Sequence, residues 1–152
     1  MYRRTVIATA AAGTWLSLAE GWLRPLRAAS PLDPWAGAAA ATAADLRLRA
    51  LGWAVLAPNP HNRQPWLIRL DGADALTLFF DTARRLPVTD PRDRQLTIGL
   101  GCFLELLRLA AAEQGLDARI QPFPEGEDPA ALGPRSVAPV TFAAGGTPHP
   151  PF

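Results

Sequence analysis

Lysine is missing from this sequence of 152 residues, and all 15 basic residues are arginine. Together with 14 acidic residues they give a formal net charge of +1, so the chain lacks the broad basic field that non-specific binding to nucleic acid requires. The lysine deficit is consistent with a coding bias, although it also leaves a planar bidentate donor at every basic position. Nucleic acid is therefore not an expected partner.

Cysteine and histidine are almost as scarce. Cys102 is the only cysteine, which excludes an intrachain disulfide and a cysteine-rich metal site, and its apolar surroundings predict a buried, inert thiol. His61 and His149 are the only histidines, and neither has a carboxylate at the spacing of a helical metal motif. The sequence also contains no G-x-S-x-G elbow, no P-loop and no G-x-G-x-x-G fingerprint. We therefore expect no metal site, and no spacing points to Ser/His/Asp catalysis, although the residue types for it are present.

The amino terminus places a pair of charges before an uncharged run. Arg3 and Arg4 stand directly before residues 5–19, which carry no charge, and this order is typical of export signals. The segment resembles a twin-arginine signal, which implies a periplasmic or exported protein. An uncleaved membrane anchor and an ordinary first helix of a cytoplasmic protein are the alternatives. We expect residues 1–30 to form the signal or anchor and residues 31–37, rich in proline and turn formers, to form a linker.

Helical and strand patterns follow one another without strict alternation after the linker. The spacing of apolar residues predicts a helix over residues 38–55, stopped by Pro58. Strand patterns at residues 66–70 and 75–80 flank a polar turn and predict a hairpin, and two more strands are predicted in "LDARIQPF" and "SVAPVTFAA". Asp90, Pro91 and Asp93 predict the start of a long helix that ends at Gly115. The expected fold is α+β, with an antiparallel sheet packed on the long helix.

The long helix has an unusually narrow polar stripe. Its polar positions are Thr97, Gly101, Glu105 and Arg108, which leaves most of its circumference apolar and predicts a central, largely buried helix. Glu105 and Arg108 are spaced to form an ion pair along that stripe. Gly99 and Gly101 would each allow another backbone to come close.

The stretch "APNPHNRQPW", residues 57–66, is a polar loop stiffened by three prolines. Proline biases the residue before it toward extended conformations, so we expect Ala57, Asn59 and Gln64 not to be helical. The side chains of Asn59, Asn62 and Gln64 each offer a donor and an acceptor, a mixture that suits a flat heteroaromatic ring with alternating C=O and N–H groups. The alternative is that these amides satisfy the backbone of their own loop.

Five positions of this loop match the pattern P-S-x-x-N-x-Q-P-W, and Asn59 stands where serine is common; the matches are Pro58, Asn62, Gln64, Pro65 and Trp66. The loop resembles the flavin-binding nitroreductase superfamily. The "RLPVTDP" segment and the "IGLG" helix are similar to one branch in particular, the Acg-type FMN-binding oxidoreductases. The resemblance covers about residues 38–142.

This resemblance implies an α+β flavoprotein in which two nitroreductase-like units, either two subunits or two halves of one chain, build FMN sites at their interface. Flavin N5 then accepts a hydride, and electrons pass to a nitroaromatic or quinone-type acceptor. By the same resemblance, Asn62 and Gln64 contact the FMN, Pro58 and Asn59 shape the loop against it, and His61 lines the pocket. No residue is implied as a general acid or base.

The resemblance also implies an arginine-rich segment that holds the flavin phosphate and follows a stretch like "PHPPF". We therefore expect residues 38–146 to be the amino-terminal domain of such a pair, with residues 147–152 as a truncated tail or linker. Its partner would be a second copy or a missing carboxy-terminal half. Alternative phosphate contacts are Arg84, Arg85, Arg92 and Arg94. A noncatalytic module that binds or sequesters flavin, or an inactive truncated remnant, is the alternative function.

Overall fold

The computed structural model describes residues 44–126 and 131–149. The predicted leader, the predicted linker, the first part of the predicted domain and the last three residues of the tail lie outside the described residues. The described elements are α1 (Leu46–Ala54), β1 (Trp66–Asp71), β2 (Ala75–Phe80), α2 (Arg94–Ala112), β3 (Leu116–Ile120) and β4 (Ser136–Ala144), with single 3-10 turns at Pro60–Asn62 and Thr82–Arg84. The predicted α+β class is confirmed.

The four strands form one antiparallel sheet in the order β1-β2-β4-β3. The predicted hairpin is confirmed: β1 pairs with β2 from Trp66 opposite Phe80 to Asp71 opposite Ala75. Gly72 closes the turn with a φ of 57°, a conformation that glycine adopts at little steric cost. One sheet face is apolar and packs on α2, which confirms the predicted layering.

The core lies between that sheet face and one side of α2. Its largest fully buried apolar side chains are Leu96, Leu100, Phe103 and Leu107 from α2 and Leu76, Leu78 and Val140 from the sheet. Each is removed from water almost completely, and burying a side chain of this size contributes about 1.5–3 kcal/mol relative to leaving it exposed. By length and composition α2 is also the one helix of the described residues apolar enough to span a membrane, but this packing accounts for its apolar character.

The burial predicted for α2 is only half right. Ile98 remains 58% exposed and Cys102 is half-buried, because α1 and the sheet cover one side of the helix and no described element covers the other. The predicted Glu105–Arg108 pair is confirmed, with Arg108 Nη2 2.6 Å from Glu105 Oε1. That bond outweighs partial burial and holds the pKa of Glu105 below its usual range.

The predicted start of α2, with Asp90 as the cap and Pro91 as the first helical residue, is three residues too early. The helix begins at Arg94, and Asp93 before it adopts left-handed backbone angles with a φ of 53°. Asp90 nevertheless caps the helix from outside, because its Oδ2 accepts a hydrogen bond from the backbone N–H of Leu96 at 2.9 Å. At the other end, the helix stops at Ala112, and Gly115, with a φ of 74°, follows as predicted.

The start of α1 also differs from the prediction. The helix begins at Leu46, because Asp45 is its N-cap and accepts from the backbone N–H of Arg47 at 2.9 Å. Arg47 is buried and donates to the carbonyl oxygens of Gly72 at 3.0 Å and Ala75 at 2.7 Å. Its side-chain bonds to Asp45 lower the pKa of that carboxyl despite partial burial. These bonds tie α1 to the turn of the β1–β2 hairpin.

Candidate functional site

The proline loop, residues 57–66, connects α1 to β1 across the start of α2. Ala57 and Asn59 are not helical, as predicted, and Asn59 is extended with φ −154° and ψ 153°. Gln64 is not helical either, as predicted, but its φ of 51° differs from the extended angles toward which Pro65 biases it. His61 and Asn62 share this left-handed region, with φ 50° and 49°. Each such non-glycine residue costs on the order of 1–3 kcal/mol, so the surrounding contacts must impose this conformation.

The side-chain amide of Asn59 imposes much of this loop conformation. Its Oδ1 accepts from the backbone N–H of Gln64 at 2.7 Å, and its Nδ2 donates to the carbonyl oxygen of Ala57 at 3.0 Å. The bias that Pro65 places on Gln64 toward extended angles is outweighed by this bond. For Asn59, therefore, the alternative of an amide that satisfies its own loop is the one observed, and it agrees with a role in shaping the loop.

The other two amides of the loop are differently placed. Asn62 is exposed and Gln64 is half-buried, and neither side-chain amide has a hydrogen-bonding partner within residues 44–126 and 131–149. His61 and Pro58 are exposed beside them. The loop thus presents two unused amides, each with a donor and an acceptor. Such groups can recognise the edge of a heteroaromatic ligand.

Two arginines fasten the loop to the segment that follows β2. Arg63 Nε donates to the carbonyl oxygen of Arg84 at 3.1 Å, and Arg84 Nη1 donates back to the carbonyl oxygen of Arg63 at 2.7 Å. The backbone N–H of Asp81 donates to the carbonyl oxygen of Pro65 at 2.8 Å. No local pattern predicts this arrangement, since Arg63 and Arg84 are 21 residues apart in the chain.

The proline loop packs on α2. Trp66 is buried with its ring centroid 4.9 Å from that of Phe103. A Cβ at position 99 would lie 3.1 Å from the Cβ of Asn59, so the close approach predicted for Gly99 is confirmed. The same prediction for Gly101 is wrong, because a Cβ there would meet no atom of the described residues within 4 Å.

The arginines considered as phosphate contacts fall into two pairs. Arg84 is bonded to Asp81 and to the proline loop, and Arg85 forms an ion pair of 2.8 Å with Asp93. Arg92 and Arg94 are exposed at the start of α2. The first pair is therefore already used within the fold, whereas a phosphate role for the second pair stays a prediction. In the described part of the chain, no group of three histidine, cysteine or carboxylate side chains is suited to a metal ion.

Comparison with known proteins adds to this geometry. No family model matches the chain. The chain is 35% identical over 103 residues to "Putative NAD(P)H nitroreductase acg" of Mycobacterium tuberculosis, which covers 67% of this chain and 30% of that protein. The chain belongs to the nitroreductase superfamily. It is also 36% identical over 87 residues to "Putative NAD(P)H nitroreductase Rv3131" of the same organism, covering 57% of this chain and 25% of the relative.

A third relative is "Uncharacterized protein Rv3127" of the same organism, 33% identical over 93 residues, with 59% of this chain and 27% of the relative covered. The chain spans 30% or less of the length of these three curated relatives. Membership of the nitroreductase superfamily, whose members are oxidoreductases, indicates a flavin as the general class of cofactor.

Proposed function

We propose that this chain is an FMN-dependent, nitroreductase-like oxidoreductase or its amino-terminal half, and that the proline loop holds the flavin ring. The observation that carries this proposal is the pair of unused amides at Asn62 and Gln64. The third amide of the loop, that of Asn59, is fully engaged with the backbone. A loop that only had to close a turn would have no need to hold two further amides in a strained conformation.

The residues present fit the edge of a flavin ring. Ring carbonyls need donors and ring N–H groups need acceptors, and each carboxamide supplies both. The prolines, the Asn59 bonds and the Arg63–Arg84 pair hold the loop in one shape before a ligand arrives. Binding then loses less conformational freedom than it would on a mobile loop, which raises affinity.

The chemistry divides between cofactor and protein. When bound, FMN supplies hydride acceptance at N5 and onward electron transfer to a nitroaromatic or quinone-type acceptor. Asn62 and Gln64 would bind and orient the ring, Pro58 and Asn59 would shape the loop, and exposed His61 would line the same pocket. No side chain of this loop is required to move a proton.

A second unit would complete the site. The described residues supply the ring-binding loop, but Arg84 and Arg85 are occupied by bonds within the fold and give no obvious hold on a phosphate. We propose that a second copy of this chain, or a carboxy-terminal half, supplies that hold. Residues 1–30 would direct the protein to the periplasm through the twin-arginine route, which carries folded proteins, or would anchor it in the membrane.

The occupied arginines also favour a second candidate, in which the chain binds or sequesters flavin without catalysis. The two candidates differ in turnover. A flavin-loaded oxidoreductase, once chemically reduced, is reoxidised rapidly by a simple quinone in a saturable reaction. A sequestering module binds flavin but shields it, so reoxidation is slow and does not saturate.

The test is flavin retention by the full 152-residue chain and by Asn62→Ala/Gln64→Ala. Each lost hydrogen bond is worth about 0.5–1.5 kcal/mol, so the double variant should bind FMN about 5- to 150-fold more weakly. Riboflavin, which lacks the phosphate, should lose a similar factor, because the loop is assigned to the ring. The matched control is Gln121→Ala, which removes an exposed amide at the end of β3 and should leave affinity unchanged.

The solution mass is recorded alongside, since a dimer that retains flavin would identify the second copy as the completing unit. A double variant that is normally folded and keeps the affinity of the parent chain for both FMN and riboflavin would remove the loop from the flavin site.

A further inference from the structure

The contact between Gly99 and Asn59 joins the long helix to the proline loop. A Cβ at position 99 would lie 3.1 Å from the Cβ of Asn59, 3.4 Å from its Cα and 3.5 Å from the carbonyl oxygen of Pro58. The first of these distances is closer than side chains normally pack, so any residue other than glycine must push Asn59 away by a few tenths of an ångström. Gly99 is itself buried.

Asn59 has little freedom to yield. It stands between Pro58 and Pro60, whose rings fix their own φ, and the second of these also restricts Asn59 to the extended conformation that it adopts. Both ends of its carboxamide are hydrogen-bonded, at 2.7 Å and 3.0 Å. A push on its Cβ is therefore transmitted along the side chain rather than absorbed by rotation.

A displacement of Asn59 would act on Gln64. The Oδ1 of Asn59 accepts from the backbone N–H of Gln64 and holds that residue at a φ of 51°, a conformation a glutamine rarely adopts unaided. We propose that Gly99 is a positioning residue for the proline loop. Because Gly99 has no side chain, Asn59 can lie close to α2, and the Asn59 side chain in turn holds the conformation of Gln64. The inference rests on the proposed flavin function for its effect on binding, and on geometry alone for its effect on the loop.

The chain contains a matched control two residues away. Gly101 lies on the same helix, and a Cβ there would meet no described atom within 4 Å. Alanine favours helix over glycine at either position by the same intrinsic preference. A difference between Gly99→Ala and Gly101→Ala therefore reports what a Cβ meets at position 99, which is Asn59 and the carbonyl oxygen of Pro58.

The experiment compares the two variants with the parent chain in full length. Thermal unfolding should show a higher midpoint for Gly101→Ala and a smaller gain, or a loss, for Gly99→Ala. Hydrogen exchange, followed by NMR on the assigned backbone, should show the Gln64 amide exchanging about tenfold faster or more in Gly99→Ala, with the core amides of α2 changed only by the difference in global stability. Gly101→Ala should leave the Gln64 amide as protected as in the parent.

Flavin affinity is the readout that a purely structural role would not move. FMN should bind Gly99→Ala roughly tenfold more weakly, the factor expected for the loss of about one hydrogen bond from the loop, whereas Gly101→Ala should bind like the parent. Equal Gln64 exchange and equal affinity in the two variants would overturn the positioning role. If the parent chain alone binds no flavin, a second copy does not complete the proposed site, and the exchange comparison still decides whether Gly99 positions the loop.

A double-mutant cycle covers the case in which Gly99→Ala does not fold. Asn59→Gly removes the Cβ that an alanine at position 99 would meet, so Gly99→Ala should cost little in that background. A double variant that is about as stable as Asn59→Gly alone supports the contact. If Gly99→Ala costs as much in the Asn59→Gly background as in the parent chain, the contact is overturned.

Discussion

The ion pair between Arg85 and Asp93 predicts an unequal response to removal of its two partners. The Asp93 side chain is 0% exposed and the Arg85 side chain 33% exposed, with Arg85 Nη2 2.8 Å from Asp93 Oδ2. Asp93 also accepts from the backbone N–H of Leu132 at 3.0 Å, and Arg85 donates to the carbonyl oxygen of Leu132 and lies over the ring of Phe80. The pair joins the start of α2, the segment after β2 and the loop that leads to β4.

Arg85→Ala leaves a fully buried carboxylate with a single donor. Breaking a buried pair in this way costs about 3–5 kcal/mol, and the lost stacking on Phe80 adds about 0.5–1 kcal/mol. Asp93→Asn instead leaves a neutral amide whose oxygen still accepts from the backbone N–H of Leu132. Arg85, whose side chain is already 33% exposed, can turn its charged group toward water. Asp93→Asn should therefore cost about 1.5–3 kcal/mol, the contribution of one hydrogen bond to a charged group. The arginine variant should therefore be the less stable of the two.

Urea unfolding followed by far-UV circular dichroism measures this difference. Both variants should keep the m-value of the parent chain, so that the shift in midpoint reports stability. Arg119→Ala is the control, because Arg119 is 77% exposed in its pair with Asp117 and an exposed pair contributes about 0–1 kcal/mol. The reasoning is refuted if Asp93→Asn costs as much as Arg85→Ala, since the stranded carboxylate would then not be the dominant penalty.

Two further outcomes are expected. Phe103→Ala should cost about 3–5 kcal/mol in urea unfolding and loosen Trp66 above it, because it empties a site of 0% exposure in the core. Burial raises the pKa of Asp71, but hydrogen bonds from Arg69 and Thr77 outweigh it, so the pKa lies below its usual range. A lowered folded-state pKa means stability that is present above about pH 4 and is lost as the pH falls through the folded value, so Asp71→Asn should flatten the acid limb of the stability curve.

Each of these has a control in the same element or turn. Leu106 is half-buried on α2, so Leu106→Ala should cost clearly less than Phe103→Ala; equal costs would mean that the core is not where the structure places it. Asp74→Asn changes an exposed carboxylate in the hairpin turn and is the comparison for Asp71→Asn. An acid limb identical in Asp71→Asn and the parent chain would contradict the assigned role of Asp71.

Strand positions were predictable because their signals are local. The hairpin and β4 follow from short apolar runs bounded by turn residues, and the structure places them within one residue of the prediction. Helix starts were less predictable, because the capping group can come from a distance. Asp90 caps α2 from a position six residues before the N–H it bonds, whereas a cap directly before proline predicts a helix that begins at Pro91.

The composition of the loop was readable, and its conformation was not. Proline and amide content predict a stiff polar loop, but Gln64 does not adopt the extended angles toward which Pro65 biases it, because a side chain five residues earlier holds its N–H. The Arg63–Arg84 pair joins segments 21 residues apart, and no periodicity connects them. The exposure of Ile98 on α2 was not predictable either, because apolar residues occur both buried and exposed and the neighbouring sequence does not decide which.

Three supports meet beneath the strained part of the loop. Gly99 admits Asn59, the Arg63–Arg84 pair fixes the chain after the turn, and Trp66 is buried on α2 where β1 begins. These contacts offset three left-handed residues, at on the order of 1–3 kcal/mol each, without engaging the side-chain amides of two of them. These contacts thus stabilise a loop conformation that would be unfavourable without them. In that conformation the side-chain amides of Asn62 and Gln64 remain available for hydrogen bonds. Strain concentrated where polar groups remain unused is expected of a binding loop, and it is why we propose that this loop holds the cofactor.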